Sequence, residues 1–261
     1  MITMLKVIKI GGNVVDNPAK LSSFLDDLSR LGEPFVLVHG GGKIATTISK
    51  SLGIETQMID GRRVTDAQTL DVVTMVYAGL VNKKIVAALQ TRGVNAFGLC
   101  GADGSLIVSE RRKGGAVDYG FVGDPLADKF GVKTASMLLD GGFVPVVAPI
   151  THDGNGTLLN TNADTVARTV AVGLSSRYDV ELVYCFELKG VMGSVDDPSS
   201  LIEHIDKGSY ARLRADGVIS GGMIPKVDNA FDAIDGGVAS VVICGCDAIR
   251  EPNHGGTLIT R

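Results

Sequence analysis

Two lysines, far apart in the chain, stand where an anion is wanted beside them. Lys9 is the second residue from the end of Met4-Leu5-Lys6-Val7-Ile8-Lys9-Ile10, a β-branched run that reads as a buried strand and meets Gly11-Gly12. A buried ammonium needs an anionic partner. Snorkelling or a paired aspartate would satisfy it, and so would a ligand phosphate at the glycine pair. Lys226 follows Gly222 by four residues and falls in the first turn of an expected helix, where the dipole disfavours a cation. A bound phosphate would offset that cost; a solvated surface lysine is the plain alternative.

Glycine clusters recur beside the expected strands and helices: Gly11-Gly12, Gly40-Gly41-Gly42 and Gly221-Gly222, two of them with a lysine at hand. Without a Cβ in the way, their main-chain N–H groups can converge on an anion, and a helix N-terminus adds a favourable dipole. Tight turning alone would explain any one of them. Asn160-Thr161-Asn162-Ala163-Asp164 places four short polar side chains at the start of a helix. One suffices for a cap, so Asp164 is free to hold lysines in orientation and Asn160 to donate to a substrate oxygen. Arg63, in Gly61-Arg62-Arg63-Val64-Thr65, offers a guanidinium fork for a substrate carboxylate.

The common nucleotide and hydrolase fingerprints are missing. Gly42-Lys43 is followed by Ile44 and lacks the upstream glycine of a Walker loop, no G-x-G-x-x-G follows the first strand, and there is no G-x-S-x-G elbow. If ATP binds, it does so on another scaffold.

Placing these residues requires alternating elements. The strand through Ile10 precedes a helix opened by Asn17-Pro18, then a strand at Phe35 to Val38 and a helix to Leu52, an order that implies a mostly parallel sheet covered on both faces. Apolar residues at Leu70, Val73, Val76, Tyr77 and Leu80 predict a long helix from Thr65-Asp66 to about Arg92. Strands are expected at Val94 to Leu99, Val144 to Ala148, Val180 to Phe186, Ser240 to Ile243 and Thr257 to Ile259, and helices at Ala163 to Val172 and Ile224 to Ile234. Hairpins and loops are expected over Gly101 to Gly123. A lobe boundary is placed near Gly173, dividing residues 1–173 from 174–261.

The 261 residues carry 34 glycines, 21% charged side chains and a net charge of -4, with no basic run interleaved with aromatics. That excludes an extended nucleic-acid surface and disfavours a membrane surface. No apolar stretch reads as a membrane span or signal peptide, so a cytoplasmic protein is expected. Cys100, Cys185, Cys244 and Cys246 lack ligand spacing and read as buried thiols rather than a disulfide or zinc site; no protein-held metal is expected.

Taken in order, Lys9-Ile10-Gly11-Gly12, His39-Gly40-Gly41-Gly42, Gly61-Arg62-Arg63-Val64-Thr65, Asn160-Thr161-Asn162-Ala163-Asp164 and Gly221-Gly222-Met223-Ile224-Pro225-Lys226 resemble the amino-acid kinase family over nearly the whole chain. The resemblance implies a three-layer α/β/α sandwich around a mainly parallel sheet. It further implies an N-terminal lobe for the acylated amino acid and dimerisation, and a C-terminal lobe for ATP. The implied reaction is ATP-dependent phosphorylation of the side-chain carboxylate of N-acetyl-L-glutamate, an arginine-biosynthetic step yielding an acyl phosphate. Lys9 and Lys226 would stabilise the moving phosphoryl group, with Asp164 orienting them. Gly41, Gly42, Arg63 and Asn160 would bind the acyl-glutamate, and Gly11, Gly12, Glu187, Gly190, Ser220 and Gly221 the nucleotide, with Mg2+ carried on its phosphates. The family usually has Ser or Thr and then Asp where this chain has Phe186 and Glu187. The chain starts almost directly at its first strand, without the N-terminal helix of arginine-inhibited hexamers, so a homodimer insensitive to arginine is expected.

Alternatives stay open at this point. N-succinylglutamate could replace the acetyl substrate, with Arg62 or Lys43 meeting the added carboxylate. A non-catalytic amino-acid sensor on the same fold should have lost a catalytic lysine, and Lys9, Lys226 and Asp164 are all here. Carbamate or aspartate phosphorylation fits the Arg63 and Asn160 segments less well.

Overall fold

The computed structural model describes residues 4–59, 61–113, 117–194, 197, 199–251 and 255–261. Among them one eight-stranded sheet runs in the order His204–Ile205, Gly256–Ile259, Ser240–Gly245, Val180–Phe186, Leu5–Ile10, Phe35–His39, Val144–Ala148, Ala96–Cys100. All neighbours are parallel except Ser240–Gly245 with Gly256–Ile259. Helices cover both faces, giving the three-layer α/β/α sandwich that the alternation of elements implies.

Alternation along the central strand decides what each face receives. Leu5 and Val7 enter a core built with helices Val132–Asp140, Ala163–Ser175, Lys207–Ala215 and Ile224–Asp235. Ile8 and Ile10 enter the other, with Pro18–Leu28 and the helical stretch from Ala67. Lys9 therefore projects on the side of Ala163–Ser175, beside Tyr184 of the neighbouring strand. Pro18–Leu28 starts where expected: the Asn17 side chain accepts from the N–H groups of Ala19 and Lys20, a cap worth about 1 kcal/mol. Its Phe24, Leu25 and Leu28 are buried, at about 2 kcal/mol each.

The helix Ala67–Gln90 is continuous, with a π-helical turn over Met75–Val81. It is 24 residues long and contains an 18-residue window of mean hydropathy 1.5, enough to cross a membrane by length and composition alone, a stretch that the sequence reading did not single out. In the fold its Val72, Val73, Val76, Ile85 and Leu89 are buried in the core. The stretch from Leu201 to Ala215, which reads as helical in the sequence, is helical only over Lys207–Ala215, whose start is capped by Asp206 and Ser209, and is preceded by the short strand His204–Ile205. The glycine-rich middle forms a smaller four-stranded sheet from Ile107–Arg111, Gly123–Phe130, Ile150–His152 and Leu158–Asn160; Gly114, Gly115 and Ala116 lie outside the described residues. Cys100, Cys185 and Cys244 are buried, Cys246 half-buried.

Candidate active site

The parallel strands Leu5–Ile10 and Phe35–His39 end side by side, and each feeds a glycine turn into a helix. Gly40 donates its N–H to the Ile10 carbonyl at 3.3 Å, and a Cβ on Gly40 would sit 3.5 Å from the Gly12 nitrogen, so the two turns touch. Two cavities open at this carboxyl edge of the sheet, where ligands settle in open α/β folds.

The first, about 360 Å³, is lined by Lys9, Gly11, Gly12, Phe186, Glu187, Gly190 and Lys226 among others. Lys9 Nζ lies 2.7 Å from Asp164 Oδ1, an ion pair rather than a directed hydrogen bond. Lys226 reaches the same place from the first turn of Ile224–Asp235, whose helix packs beside Ala163–Ser175. Burial pulls its ammonium below the ordinary lysine value; Asp164 opposes that fall and Lys9 adds to it. Lys9 is thus paired with Asp164, and Lys226, 217 positions away in numbering, feels the same carboxylate without an ion pair to it. Both also stand over the Phe186 ring, at 5.1 and 3.8 Å from its centre. Gly190 is glycine for space, since a Cβ there would meet Thr257 Oγ1 at 2.6 Å. Ser220 and Gly221 are exposed in the turn before Ile224 and do not line this cavity.

The second cavity, about 200 Å³, is lined by Gly41, Gly42, Arg62, Arg63, Tyr77 and Asn160. Arg63 is 7% exposed and donates to the Gly42 carbonyl, Thr46 Oγ1 and Thr56 Oγ1 at 2.9 to 3.1 Å. It has no carboxylate partner among the described residues, so a buried, fixed cation faces the cavity. Asn160 gives one amide hydrogen to Thr65 Oγ1 at 3.0 Å. Asn162, between the two, caps Ala163–Ser175 through the N–H groups of Asp164 and Thr165. One segment therefore supplies a cap from Asn162, a wall of the second cavity from Asn160 and the Lys9 counter-ion of the first from Asp164.

Sequence reasoning missed three participants. Tyr77 is brought to the second cavity by the π-helical turn, where a Cβ on Gly41 would lie 3.2 Å from its ring; the helical periodicity marked it only as core. Phe186 registered only as a departure from pattern. His39 was read only as part of the glycine turn, yet it is fully buried. Its Nδ1 donates to the Gly40 carbonyl at 2.8 Å, which leaves Nε2 to accept from Asn82 Nδ2 at 3.1 Å. That Asn82 amide also donates to the Val146 carbonyl, and Lys83 donates to Asn82 Oδ1.

Burial holds His39 neutral, its pKa lowered from 6.5 to about 4. Between those values the unfolded chain binds a proton that the folded protein refuses, so stability falls as pH drops through that window. About 2 kcal/mol is lost between pH 7 and pH 5. Urea unfolding should show this slope in the wild type and a flatter one in His39→Gln; equal slopes would contradict it.

A family model described as the amino acid kinase family matches residues 4–245. An acetylglutamate kinase of Cytophaga hutchinsonii is 56% identical over 249 residues, covering 95% of this chain and 93% of that one. An acetylglutamate kinase of Bacteroides thetaiotaomicron is 53% identical over 247 residues, 95% of both chains. Among solved structures, a Streptococcus mutans protein aligns over 98% of each chain with a TM-score of 0.78 and 28% identity.

Proposed function

The chain belongs to the amino acid kinase family, and on that premise we infer that it transfers the γ-phosphoryl group of ATP to the side-chain carboxylate of N-acetyl-L-glutamate, the first of its substrates to be tested. The observation that carries this reading is the convergence of the Lys9 and Lys226 ammonium groups on one cavity, over the Phe186 ring and with Asp164 paired to Lys9, beside a buried Arg63 fork in a neighbouring cavity.

Charge dictates the mechanism. A carboxylate approaching a triphosphate brings anions together, and in the transition state charge spreads over the equatorial phosphoryl oxygens, so catalysis rests on positioning and electrostatic stabilisation. We assign the nucleotide to the first cavity, its phosphates toward Gly11, Gly12 and the two ammonium groups, with Glu187, Gly190, Ser220 and Gly221 toward the remainder. The acyl-glutamate is assigned to the second, its carboxylate on Arg63 and its remaining oxygens toward Gly41, Gly42 and Asn160. Asp164 orients the lysines. The attacking carboxylate is already ionised near neutral pH, so no general base is required. A magnesium ion carried on the nucleotide would supply charge neutralisation at its phosphates; among the described residues no group of three His, Cys, Asp or Glu side chains gathers to hold one. In this reading residues 1–173 form the acyl-amino-acid lobe and 174–261 the nucleotide lobe, in a cytoplasmic enzyme of arginine biosynthesis.

A homodimer is part of the proposal. Ala96–Cys100 is an open edge of the sheet, and there Phe97 and Phe143, 43% and 36% exposed, pack edge to face at 5.7 Å. Such an edge is usually covered. Sedimentation should give two chains; a monomer or a hexamer would overturn this part.

The test of activity incubates the full chain with ATP, Mg2+ and N-acetyl-L-glutamate and traps the acyl phosphate with hydroxylamine. N-succinylglutamate run beside it measures the acyl preference, and a higher kcat/KM for the succinyl compound would correct the substrate. Arg63→Lys keeps the charge but loses the fork. We expect it to raise KM for the acyl substrate about tenfold with kcat within about threefold. An unchanged KM would remove Arg63 from substrate binding.

A further inference from the structure

We propose that Phe186 is a positioning residue whose ring face holds the ammonium groups of Lys226 and Lys9 over the phosphoryl-transfer position. The proposal rests on the kinase reading above. Lys226 Nζ lies 3.8 Å from the ring centre and Lys9 Nζ 5.1 Å, both within the range of cation–π attraction. Lys9 has Asp164 as ion partner, whereas Lys226 forms no ion pair among the described residues. Its ammonium sits against the ring face.

The ring is itself held in place. Phe186 ends the central strand Val180–Phe186, and Tyr184 lies nearly parallel to it, 6.0 Å between centres and 19° between planes. Tyr184 is buried, and its hydroxyl donates to the Asp164 carbonyl at 3.4 Å. The same strand end thus braces both the ring and the segment that carries the Asp164 carboxylate.

A neutral ring suits this place for an electrostatic reason. A second carboxylate beside Lys226 would orient it equally well, but would cancel the positive charge that the transferring group needs and would repel the nucleotide phosphates. The π face attracts the ammonium while leaving the net charge of the site unchanged. It also gives an ordered seat to a cation that would otherwise be pushed off by Lys9. Charge aimed in advance at the developing negative charge avoids reorganisation at the moment of transfer.

The experiment compares Phe186→Leu, Phe186→Tyr and the full chain with trifluorophenylalanine at position 186, which keeps the ring's shape and empties its face of electron density. We expect kcat to fall about tenfold in Phe186→Leu, to stay within about threefold in Phe186→Tyr, and to fall between these with the fluorinated ring, while KM for the acyl substrate changes less than about threefold. A kcat in Phe186→Leu within about twofold of wild type, or a fluorinated variant equal to it, overturns the proposal. A second readout is independent of turnover: in the ¹³C-dimethylated protein the Lys226 methyl resonance should be displaced by the ring current in the wild type and return to the ordinary lysine position in Phe186→Leu. A wild-type Lys226 resonance at the ordinary position overturns the proposal whatever the activity. Failure of the wild type to phosphorylate acetylglutamate overturns the kinase reading instead, and the resonance alone then decides on Phe186.

Discussion

Lys226→Ala is expected to lower kcat by about 100- to 1,000-fold while leaving the unfolding temperature nearly unchanged. The size follows from what the group does: a preorganised cation aimed at charge that develops only in the transition state contributes to kcat far more than to ground-state binding. The small effect on folding follows from its surroundings. Lys226 lies on the first turn of its helix, where a cation is disfavoured, it forms no ion pair among the described residues, and Lys9 repels it. Removing it gives up the attraction of Asp164 and the contact with Phe186 but relieves the cost of burial and the repulsion by Lys9. A steady-state assay beside a thermal melt checks both halves. A variant that keeps wild-type turnover would favour a sensor on this fold over an enzyme.

Asp164→Ala should fail in both respects. It leaves the Lys9 side chain, 9% exposed, without its 2.7 Å counter-ion. An unpaired cation in that position costs several kcal/mol when fully buried; because Lys9 opens on a cavity, about 2 kcal/mol of stability is the expected loss. Turnover should fall about 100-fold as well, since Lys9 loses its counter-ion and Lys226 the attraction that opposes its desolvation. The two effects separate on adding a non-hydrolysable ATP analogue with Mg2+. Its phosphates replace the missing negative charge, so the rise in unfolding temperature should be larger in Asp164→Ala than in the wild type. A smaller rise would mean that Asp164 serves the nucleotide rather than the lysines, and an unaltered melt would mean that the ion pair does not matter to the fold.

Taken together, the two substitutions test different parts of one arrangement. Lys226 is held with little stake in folding, and Lys9 is built into the central strand. A site assembled in this way keeps one cation fixed by the scaffold and leaves the other to be seated by a ring and by the ligand.

Much of this was legible in the chain because the signals are local. Lys9 before Gly11-Gly12, the Asn17-Pro18 helix start and the alternation of strands and helices each depend on residues within a few positions of one another. The segment Asn160 to Asp164 shows how far that reaches. Its excess of polar side chains over what a cap requires pointed to other duties, and Asn162 alone proves to be the cap. The strand His204–Ile205 was harder, because two residues paired with Gly256–Ile259 have too little periodicity of their own to announce a strand.

By itself, then, the sequence determined the parallel sandwich, the glycine turns and the candidate cations, since propensity, period and turn chemistry act over short spans. Only the tertiary structure decided that Lys9 and Lys226 meet over the ring of Phe186 with Asp164 paired to Lys9, that a π-helical turn delivers Tyr77 to Gly41, and that His39 is kept neutral by burial beside Asn82. These are contacts between residues distant along the chain. They exist because the order of strands in the sheet brings separate strand ends to one edge, and nothing in the neighbourhood of any one residue specifies which others arrive there.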